Sequence, residues 1–385
     1  MQNRTAMTIR RTLYVFAVVA ILLGVYGFVS RLLFGERDVN YGSYVNWGLW
    51  VAMYLFFAGM AAGSIMVASL EYVFDLPLFR GTGKYALWAA LVTLPGALTL
   101  IGFDLGHMER VWKVYVQPNF TSLLAQLVWT YTTFLILVVA AVVLAMLDRR
   151  VALKRLMIVG LVMAIFVSGG VGALLGVNAA RVSFQNAMLP AQFPILNFSS
   201  GIALMLVMVG FFGIVSDPDR RTRLVRVLSL TLVALLAVKA YFLWVDYSQA
   251  LYGQTQEAVA VAGQILFGQY AWAFWILQLG LGIVVPAIVL IMPSTSRRPP
   301  LAAVMGVFVL IGLAVGRTSI IFPALAFPEF EGLVDAFTGP HLTLEYTPSL
   351  MEWSVTIGIV GLSTLAWLIG TDRLPLFART QETAR

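Results

Sequence analysis

The strongest constraint on the fold is a series of ten long apolar runs that fill most of the 385-residue chain. A helix rises 1.5 Å per residue, so roughly 20 apolar residues are needed to cross a hydrocarbon layer about 30 Å thick. The runs cover about 12–33, 45–73, 85–106, 121–147, 153–177, 197–216, 224–250, 269–292, 301–322 and 350–370. We therefore predict an all-α integral membrane protein with about ten transmembrane helices.

Composition supports the same fold class. The chain is 60% apolar and 11% charged, whereas soluble domains average about 45–50% and about 25%. No stretch between the runs is long enough for a soluble domain, so residues 1–385 are predicted to form a single polytopic domain. We expect two four-helix bundles within it, at about 45–177 and about 197–322, with 12–33 and 350–370 as peripheral helices.

The distribution of Lys and Arg predicts the orientation. With the N-terminus in the cytoplasm, 18 of the 25 basic residues fall in cytoplasmic segments or at the run ends beside them, 5 fall in outer segments or at the run ends beside them, and 2, Lys239 and Arg317, lie deep within runs. Because cytoplasmic loops are enriched in basic residues, both termini are predicted to be cytoplasmic.

In that orientation the three longest connections, 178–196, 251–268 and 323–349, all lie outside. Their acidic residues are Glu257, Glu329, Glu331, Asp335 and Glu345. The only basic residue among them is Arg181. A partner or catalytic face is therefore expected on the outside.

The scarcity of metal ligands excludes several electron carriers. The chain has no cysteine, which excludes thiolate metal sites and Cys-ligated iron–sulfur clusters. Its two histidines, His107 and His341, both fall at the outer side. A membrane haem held between two intramembrane histidines is thus not expected, and no metal site is predicted.

Small residues and prolines mark sites of close packing or bending. Gly59 and Gly63 form a GxxxG pattern in the second run, which is typical of helix–helix contacts. Pro95 and Pro286 lie within runs and are expected to kink their helices.

The first group of chemical candidates lies at the outer end of the third run. Asp104, His107 and Arg110 are spaced at i, i+3 and i+6, which would place them on one helix face. A carboxylate beside an imidazole can exchange protons near neutral pH. The alternative is an interfacial salt-bridge cluster that ends the helix.

Two carboxylates lie at other run ends. Glu71 lies at the inner end of the second run, where it is either a proton-relay group or a partner of Arg80 or Lys84. Glu352 begins the tenth run, where a helix N-terminus favours a carboxylate and capping is the alternative to proton transfer.

Three charged residues lie deeper within runs. Lys239 and Asp246 are seven residues apart in the seventh run, and Arg317 lies in the outer half of the ninth. A charge inside the bilayer costs about 2.5–3.5 kcal/mol on insertion scales, so each is a functional candidate. Both a proton path and structural ion pairs with other helices fit this pattern.

Aromatic residues are dense near the outer boundary. They include Trp47, Tyr54, Trp129 and Tyr131. An interfacial aromatic belt accounts for the tryptophans, whereas Tyr54 lies about two turns deeper and needs a hydrogen-bond partner, such as a quinone oxygen or a backbone carbonyl.

Several segments resemble the NrfD family, which includes the membrane subunit of polysulfide reductase. Asp104-Leu105-Gly106-His107 is similar to the family's Asp-Leu-Gly-Arg segment, and the run from Trp47 to Gly63 resembles the family's first bundle helix. Gly316-Arg317-Thr318 and Tyr346-Thr347-Pro348-Ser349-x-x-Glu352 resemble the ten-span branch, which includes the hydrogenase membrane anchor HybB and alternative complex III subunits.

The resemblance implies a haem-free subunit in a prokaryotic cytoplasmic membrane that uses a quinone, either menaquinone or ubiquinone, as substrate. It also implies partners on the outer face, namely a ferredoxin-like iron–sulfur subunit and a larger catalytic subunit. The quinone pocket of the family lies in the first bundle near the outer face.

Carried to this chain, the resemblance predicts a quinone site in the second to fifth runs. The candidate contacts are Trp47, Tyr54, Asp104, His107, Arg110, Gln126 and Tyr131. Two of them depart from the family pattern, because Tyr54 stands where the polysulfide reductase subunit has a quinone-contacting histidine and His107 replaces the usual arginine.

We therefore expect a quinone-binding subunit of a respiratory oxidoreductase, with Glu71, Lys239, Asp246, Arg317 and Glu352 as a candidate proton path. Two alternatives stay open at this point. One is a proton-coupled secondary transporter of a small anion, which would work as a lone protein. The other is a scaffold with no quinone site.

Overall fold

The computed structural model describes residues 2–178, 181–253, 255–328, 332–337, 339 and 341–377. Within these residues there are helices and no strands, and ten helices are long and apolar enough to span a membrane. They are α1 Gln2–Phe34, α2 Leu49–Tyr72, α3 Gly83–Asp104, α4 Leu123–Met146, α5 Arg150–Gly176, α6 Leu189–Phe212, α7 Pro218–Tyr252, α8 Ala273–Ile291, α9 Pro299–Leu325 and α10 Leu350–Arg373. The predicted fold class and the count of ten are confirmed.

Two ends of the molecule are distinguished by their connections. The long-loop end is the one at which α1, α3, α5, α7 and α9 finish, and the short-loop end is the opposite one. The long-loop end corresponds to the predicted outside, and this orientation stays a prediction. Two of the acidic loop residues, Glu329 and Glu331, lie outside the described residues, as does the side chain of Asp335.

The largest boundary difference concerns α6. This helix begins at Leu189, not near 197, and ends at Phe212 before Gly213, whose φ of 60° is left-handed. Pro190 lies in its first turn, where the missing N–H would have had no helical partner. Both Pro190 and Pro194 resemble loop signals in sequence, but Pro190 fits the first turn of the helix and Pro194 lies inside it.

The region around α8 departs from regular α-helix. Residues Ala273–Val284 form a π-helix, and an α-helical segment, Val285–Ile291, with Pro286 in its first turn follows. In the connection before α8, residues Gln256–Leu266 form an amphipathic helix, here called the loop helix.

The central helix of the packing is α2, whose neighbours include α3, α5, α6 and α9. Its GxxxG face lies against α6, where a β-carbon at Gly63 would overlap the backbone oxygen of Asn197 and one at Gly201 would overlap the backbone of Gly63. At Gly59 the space of a side chain is taken by the amide of Asn197. Helices α1 and α10 pack along each other, and the division into two bundles stays a prediction.

A buried carboxylate joins the beginnings of α2 and α10. Glu352 is fully buried, and it forms a capping box with Ser349. Its Oε1 accepts from the backbone N–H of Leu49 at 3.3 Å and from the hydroxyl of Tyr346, while Oε2 accepts from the backbone N–H of Asn40 at 3.2 Å. Burial raises the pKa of the Tyr346 hydroxyl well above its usual value, so this group stays protonated and donates to Glu352.

The contact between α2 and α6 generates a stability prediction. Gly63→Ala should lower the thermal stability of the protein in detergent, because the added methyl group forces the two backbones apart at a cost of about 1–3 kcal/mol. The control is Gly102→Ala in α3, where a β-carbon meets open space, and we expect it to leave stability unchanged or slightly higher. Equal melting temperatures for the two variants would contradict the packing argument.

Candidate functional site

The most distinctive polar group at the long-loop end is the carboxyl of Asp104. It is the last residue of α3, since the chain turns extended at Leu105. Arg31, the basic residue in the last turn of α1, donates from Nε to the carbonyl of Phe103 and from Nη2 to that of Leu105, both at 2.7 Å. The guanidinium thus caps the carboxyl end of α3, where helical carbonyls lack partners.

Asp104 is left with an unused oxygen. Its Oδ1 is buried, and no hydrogen-bond partner for it is found among the described residues. The charged groups that act on it are Glu36 and Glu352, both acidic, and Arg31. A buried carboxyl oxygen without a partner is costly, so this atom is available to accept a hydrogen bond from a ligand.

His107 and Arg110 are not beside Asp104, and the prediction that the three share a helix face is wrong. The helix ends at Asp104, and a separate short turn, Met108–Arg110, follows. Both side chains are exposed and interact with Glu109, at 3.0 Å from His107 Nδ1 and 3.5 Å from Arg110 Nε. The pKa of the Glu109 carboxyl is held below its usual value, first by a backbone hydrogen bond of Glu109 and then by the hydrogen bond with His107.

Two predicted tyrosines do come together inside the protein. Tyr54 of α2 and Tyr131 of α4 have ring centroids 5.9 Å apart in an edge-to-face arrangement. Trp50, one turn before Tyr54, packs its ring on Phe103, the neighbour of Asp104. The tyrosine pair therefore lies about one turn of α2 deeper than the Asp104 region.

The two remaining candidate quinone contacts, Trp47 and Gln126, make contacts with other residues than Asp104 or the tyrosine pair. Trp47 packs its ring against Phe184, with centroids 6.2 Å apart. Gln126 is exposed and donates to the carbonyl of Phe120 at 2.6 Å. The structure thus brings together only part of the predicted set.

Arg317 connects the tyrosine pair to a deeper polar chain. Its Nη2 donates to Asn197 Oδ1 at 2.7 Å, and Asn197 Nδ2 donates to Ser168 Oγ at 2.8 Å. The guanidinium lies 4.1 Å from the ring centroid of Phe193, a cation–π contact, and its charge acts on Tyr131.

Three of the five proton-path candidates line one cavity of about 330 Å³ between α6, α7, α8, α9 and the loop helix. These are Lys239, Asp246 and Arg317. Asp246 accepts from Asn186 Nδ2 at 2.8 Å and from Gln192 Nε2 at 3.0 Å. Among the described residues, amide donors and no cation account for the hydrogen bonds of this carboxylate.

Glu71 and Glu352 do not join the other three. Glu71 binds backbone N–H groups at the short-loop end, from Gly81 at 2.7 Å and Gly83 at 2.6 Å, so the expected salt bridge to Arg80 or Lys84 is replaced by hydrogen bonds that hold the start of α3. Glu352 lies at the opposite end as the helix cap described above, which was the alternative to proton transfer.

Several residues that are central to the structure have weak signals in the sequence. Arg31 lies at the end of an apolar run, where basic residues are common, and Asn197 and Gln278 are single amides within apolar runs. Uncharged amides in an apolar run are also costly and carry a signal of their own. No cluster of three metal-ligating side chains is found in the part of the chain that the structure describes.

Comparison with known proteins gives consistent results over nearly the whole chain. The chain is 30% identical to the C subunit of selenate reductase from Mesobacillus selenatarsenatis, with 94% of this chain and 93% of the relative covered. It is 25% identical to the Hdr-like menaquinol oxidoreductase integral membrane subunit of Archaeoglobus fulgidus (96% and 94% covered). It is 22% identical to the menaquinone reductase integral membrane subunit of Nitratidesulfovibrio vulgaris (94% and 90% covered).

A family model described as polysulphide reductase, NrfD, matches residues 39–329. This range runs from the loop before α2 to beyond α9, and it includes the Asp104 turn, the tyrosine pair and the Arg317 chain. The protein belongs to the NrfD family of integral membrane subunits.

Proposed function

We propose that this chain is the quinone-reactive membrane subunit of a multi-subunit respiratory oxidoreductase. The observation that carries the proposal is the buried, unpartnered carboxyl oxygen of Asp104 at the membrane boundary of an NrfD family member. The names of the Archaeoglobus and Nitratidesulfovibrio relatives refer to menaquinol and menaquinone, which favours menaquinone over ubiquinone as the substrate.

In this proposal Asp104 accepts the proton of a quinol hydroxyl. General base catalysis requires the base to lie within hydrogen-bond reach of that proton, and Oδ1 of Asp104 is the atom without a competing donor. Arg31 fixes the chain on both sides of Asp104, so the carboxyl is held in place. Oxidation of the quinol to the quinone releases two electrons, which pass to the iron–sulfur subunit, and two protons, which pass through Asp104 one after the other, the first being released before the second is taken up.

The tyrosine pair supplies hydrogen bonds to the substrate from the other side. Tyr54 and Tyr131 are polar groups within an otherwise apolar stretch between α2 and α4. A mostly apolar pocket with a few placed polar groups is the usual environment for a cofactor-sized ring. Trp47, His107, Arg110 and Gln126 have no part in this binding step, given the contacts they make.

The electrons leave toward partner subunits at the long-loop end. The chain has no cysteine, so we assign the electron acceptor or donor to a separate iron–sulfur subunit, which connects to a larger catalytic subunit. Proton conduction through Lys239, Asp246 and Arg317 is part of the same proposal, supported by their common cavity. Family membership favours this function over a lone anion transporter.

Replacement of Asp104 tests the catalytic step. Asp104→Asn keeps the shape of the side chain but cannot take a proton, so quinol-dependent turnover should fall by about 10²–10⁴-fold while the complex still assembles. The control is Asp75→Asn, an exposed carboxylate at the short-loop end that pairs with Lys154. Normal turnover in Asp104→Asn would remove this residue from the mechanism.

The tyrosine pair is tested through substrate affinity. Tyr54→Phe removes one hydroxyl, and the loss of a hydrogen bond worth about 0.5–1.5 kcal/mol should raise KM for quinol roughly 2–12-fold with a smaller effect on kcat. Tyr115→Phe is the matched control, since its hydroxyl bonds to Thr132 at 2.8 Å in an exposed position. An unchanged KM in Tyr54→Phe would argue that the substrate binds elsewhere.

Gentle purification from native membranes tests the assignment to a complex. We expect a cysteine-rich iron–sulfur protein to co-purify with this chain, because the chain has no electron carrier of its own. Mass spectrometry of the purified sample identifies the partners. Isolation of a stable and active lone chain would instead support the transporter alternative.

A further inference from the structure

The cavity beside α7 extends from the long-loop end toward the middle of the membrane. Asp246 lies about two turns from the end of α7 and Lys239 two turns deeper, so Lys239 is roughly 20 Å along the helix from Tyr252. The volume of about 330 Å³ equals that of roughly ten water molecules. The cavity is therefore large enough for a small hydrated ion.

Two cationic side chains line the deep part of this cavity. Lys239 and Arg317 are each only 4% exposed, and the charge of Arg317 acts on Lys239. Gly316, the residue before Arg317, has its β-carbon position 3.7 Å from Lys239 Nζ. Lys239 and Arg317 line the same cavity, and two like charges in an apolar region repel each other.

The donors of both cations are only partly used. Lys239 Nζ donates to the carbonyl of Gly312 at 3.3 Å, which is a long contact for one of its three N–H groups. Arg317 Nη1 is buried without an acceptor among the described residues. Both cations line one cavity and both have unused donors, so an acceptor that enters this cavity would gain hydrogen bonds.

The carboxylate of Asp246 does not act as the acceptor for Lys239 or Arg317. Asp246 lines the same cavity, but its oxygens accept from the amides of Asn186 and Gln192. The amide oxygen of Gln278, which lines the same cavity, accepts a hydrogen bond from Ser319 Oγ at 2.9 Å. No ion pair of Lys239 or Arg317 with an acidic side chain is present in the described part of the chain.

We propose that this cavity is a binding site for a small inorganic anion, held between Nζ of Lys239 and Nη1 of Arg317. A buried charge is tolerated when it is paired, and a bound anion supplies the missing counter-charge. A compact anion such as chloride fits the deep position of the two donors. The site is separate from the quinone contacts proposed above and does not depend on them, but it shares Lys239 and Arg317 with the proposed proton path.

Thermal unfolding of the purified protein, with the subunits that co-purify, tests the site. The probe is sodium chloride that replaces sodium gluconate at constant ionic strength. Wild type should gain roughly 2–4 °C in melting temperature with a saturable dependence on chloride, because a ligand that binds only the folded state stabilises it. Bromide and nitrate should act in the same way.

Lys239→Met is the decisive variant. With one of two adjacent charges removed, its melting temperature in gluconate should equal or exceed that of wild type, and its response to chloride should largely disappear. Lys113→Met, a change of the same type at an exposed residue of the long-loop end, should keep the full wild-type response.

A full chloride response in Lys239→Met, or no response in wild type to any of the three anions, would overturn the proposal. If the variant does not assemble, chloride-35 magnetic resonance of wild type decides. We expect line broadening that excess nitrate reverses, and the absence of reversible broadening would equally reject the site.

Discussion

The arrangement of the long-loop end depends on one buried carboxylate. The first N–H groups of a helix have no partner within the helix, and within a membrane protein water does not reliably supply one. Glu352 meets this need for α10 through the capping box and for α2 through Leu49. Trp50 also donates to the backbone oxygen of Glu352 at 3.1 Å, so the helix that carries Tyr54 is fixed at its start by the last helix described.

Charges in the interior are balanced by neutral dipoles more than by opposite charges. Arg31 is held by two carbonyls and by a salt bridge to Glu36 at 3.2 Å, whereas Arg317 is held by an amide and Asp246 by two amides. For Arg317 and Asp246 the neutral partners leave the charge itself without an opposite charge, so each group can respond to a ligand that enters. Asp104 and the Lys239–Arg317 pair are two of the places among the described residues where buried polar atoms lack a partner, and both lie near the functional regions that we propose.

Much of the fold is predictable from the sequence because lipid imposes a single length on apolar helices. The ten runs, the helical class and the family resemblance all follow from patterns along the chain. The start of α6 was not predictable in this way, since Pro190 carries the same local signal in a loop and in a first helical turn, and Pro194 inside a helix is locally indistinguishable from a proline in a loop. The site was less predictable. The i, i+3, i+6 spacing of Asp104, His107 and Arg110 has meaning only if the helix continues, and the carbonyl partners of Arg31 are invisible in sequence.

The surroundings of Asp104 have a consequence for how the protein is made. Arg31 comes from α1 and Glu352 from α10, and both charges act on this carboxyl of α3. Ribosomes add about 5–20 residues per second, so roughly 10–50 s separate the synthesis of Asp104 from that of Glu352. During this interval α3 is in the bilayer or the insertion machinery, and Asp104 lacks the charge of Glu352. The electrostatic environment of the site is therefore a late product of biogenesis, complete only after the final helix has been inserted and docked.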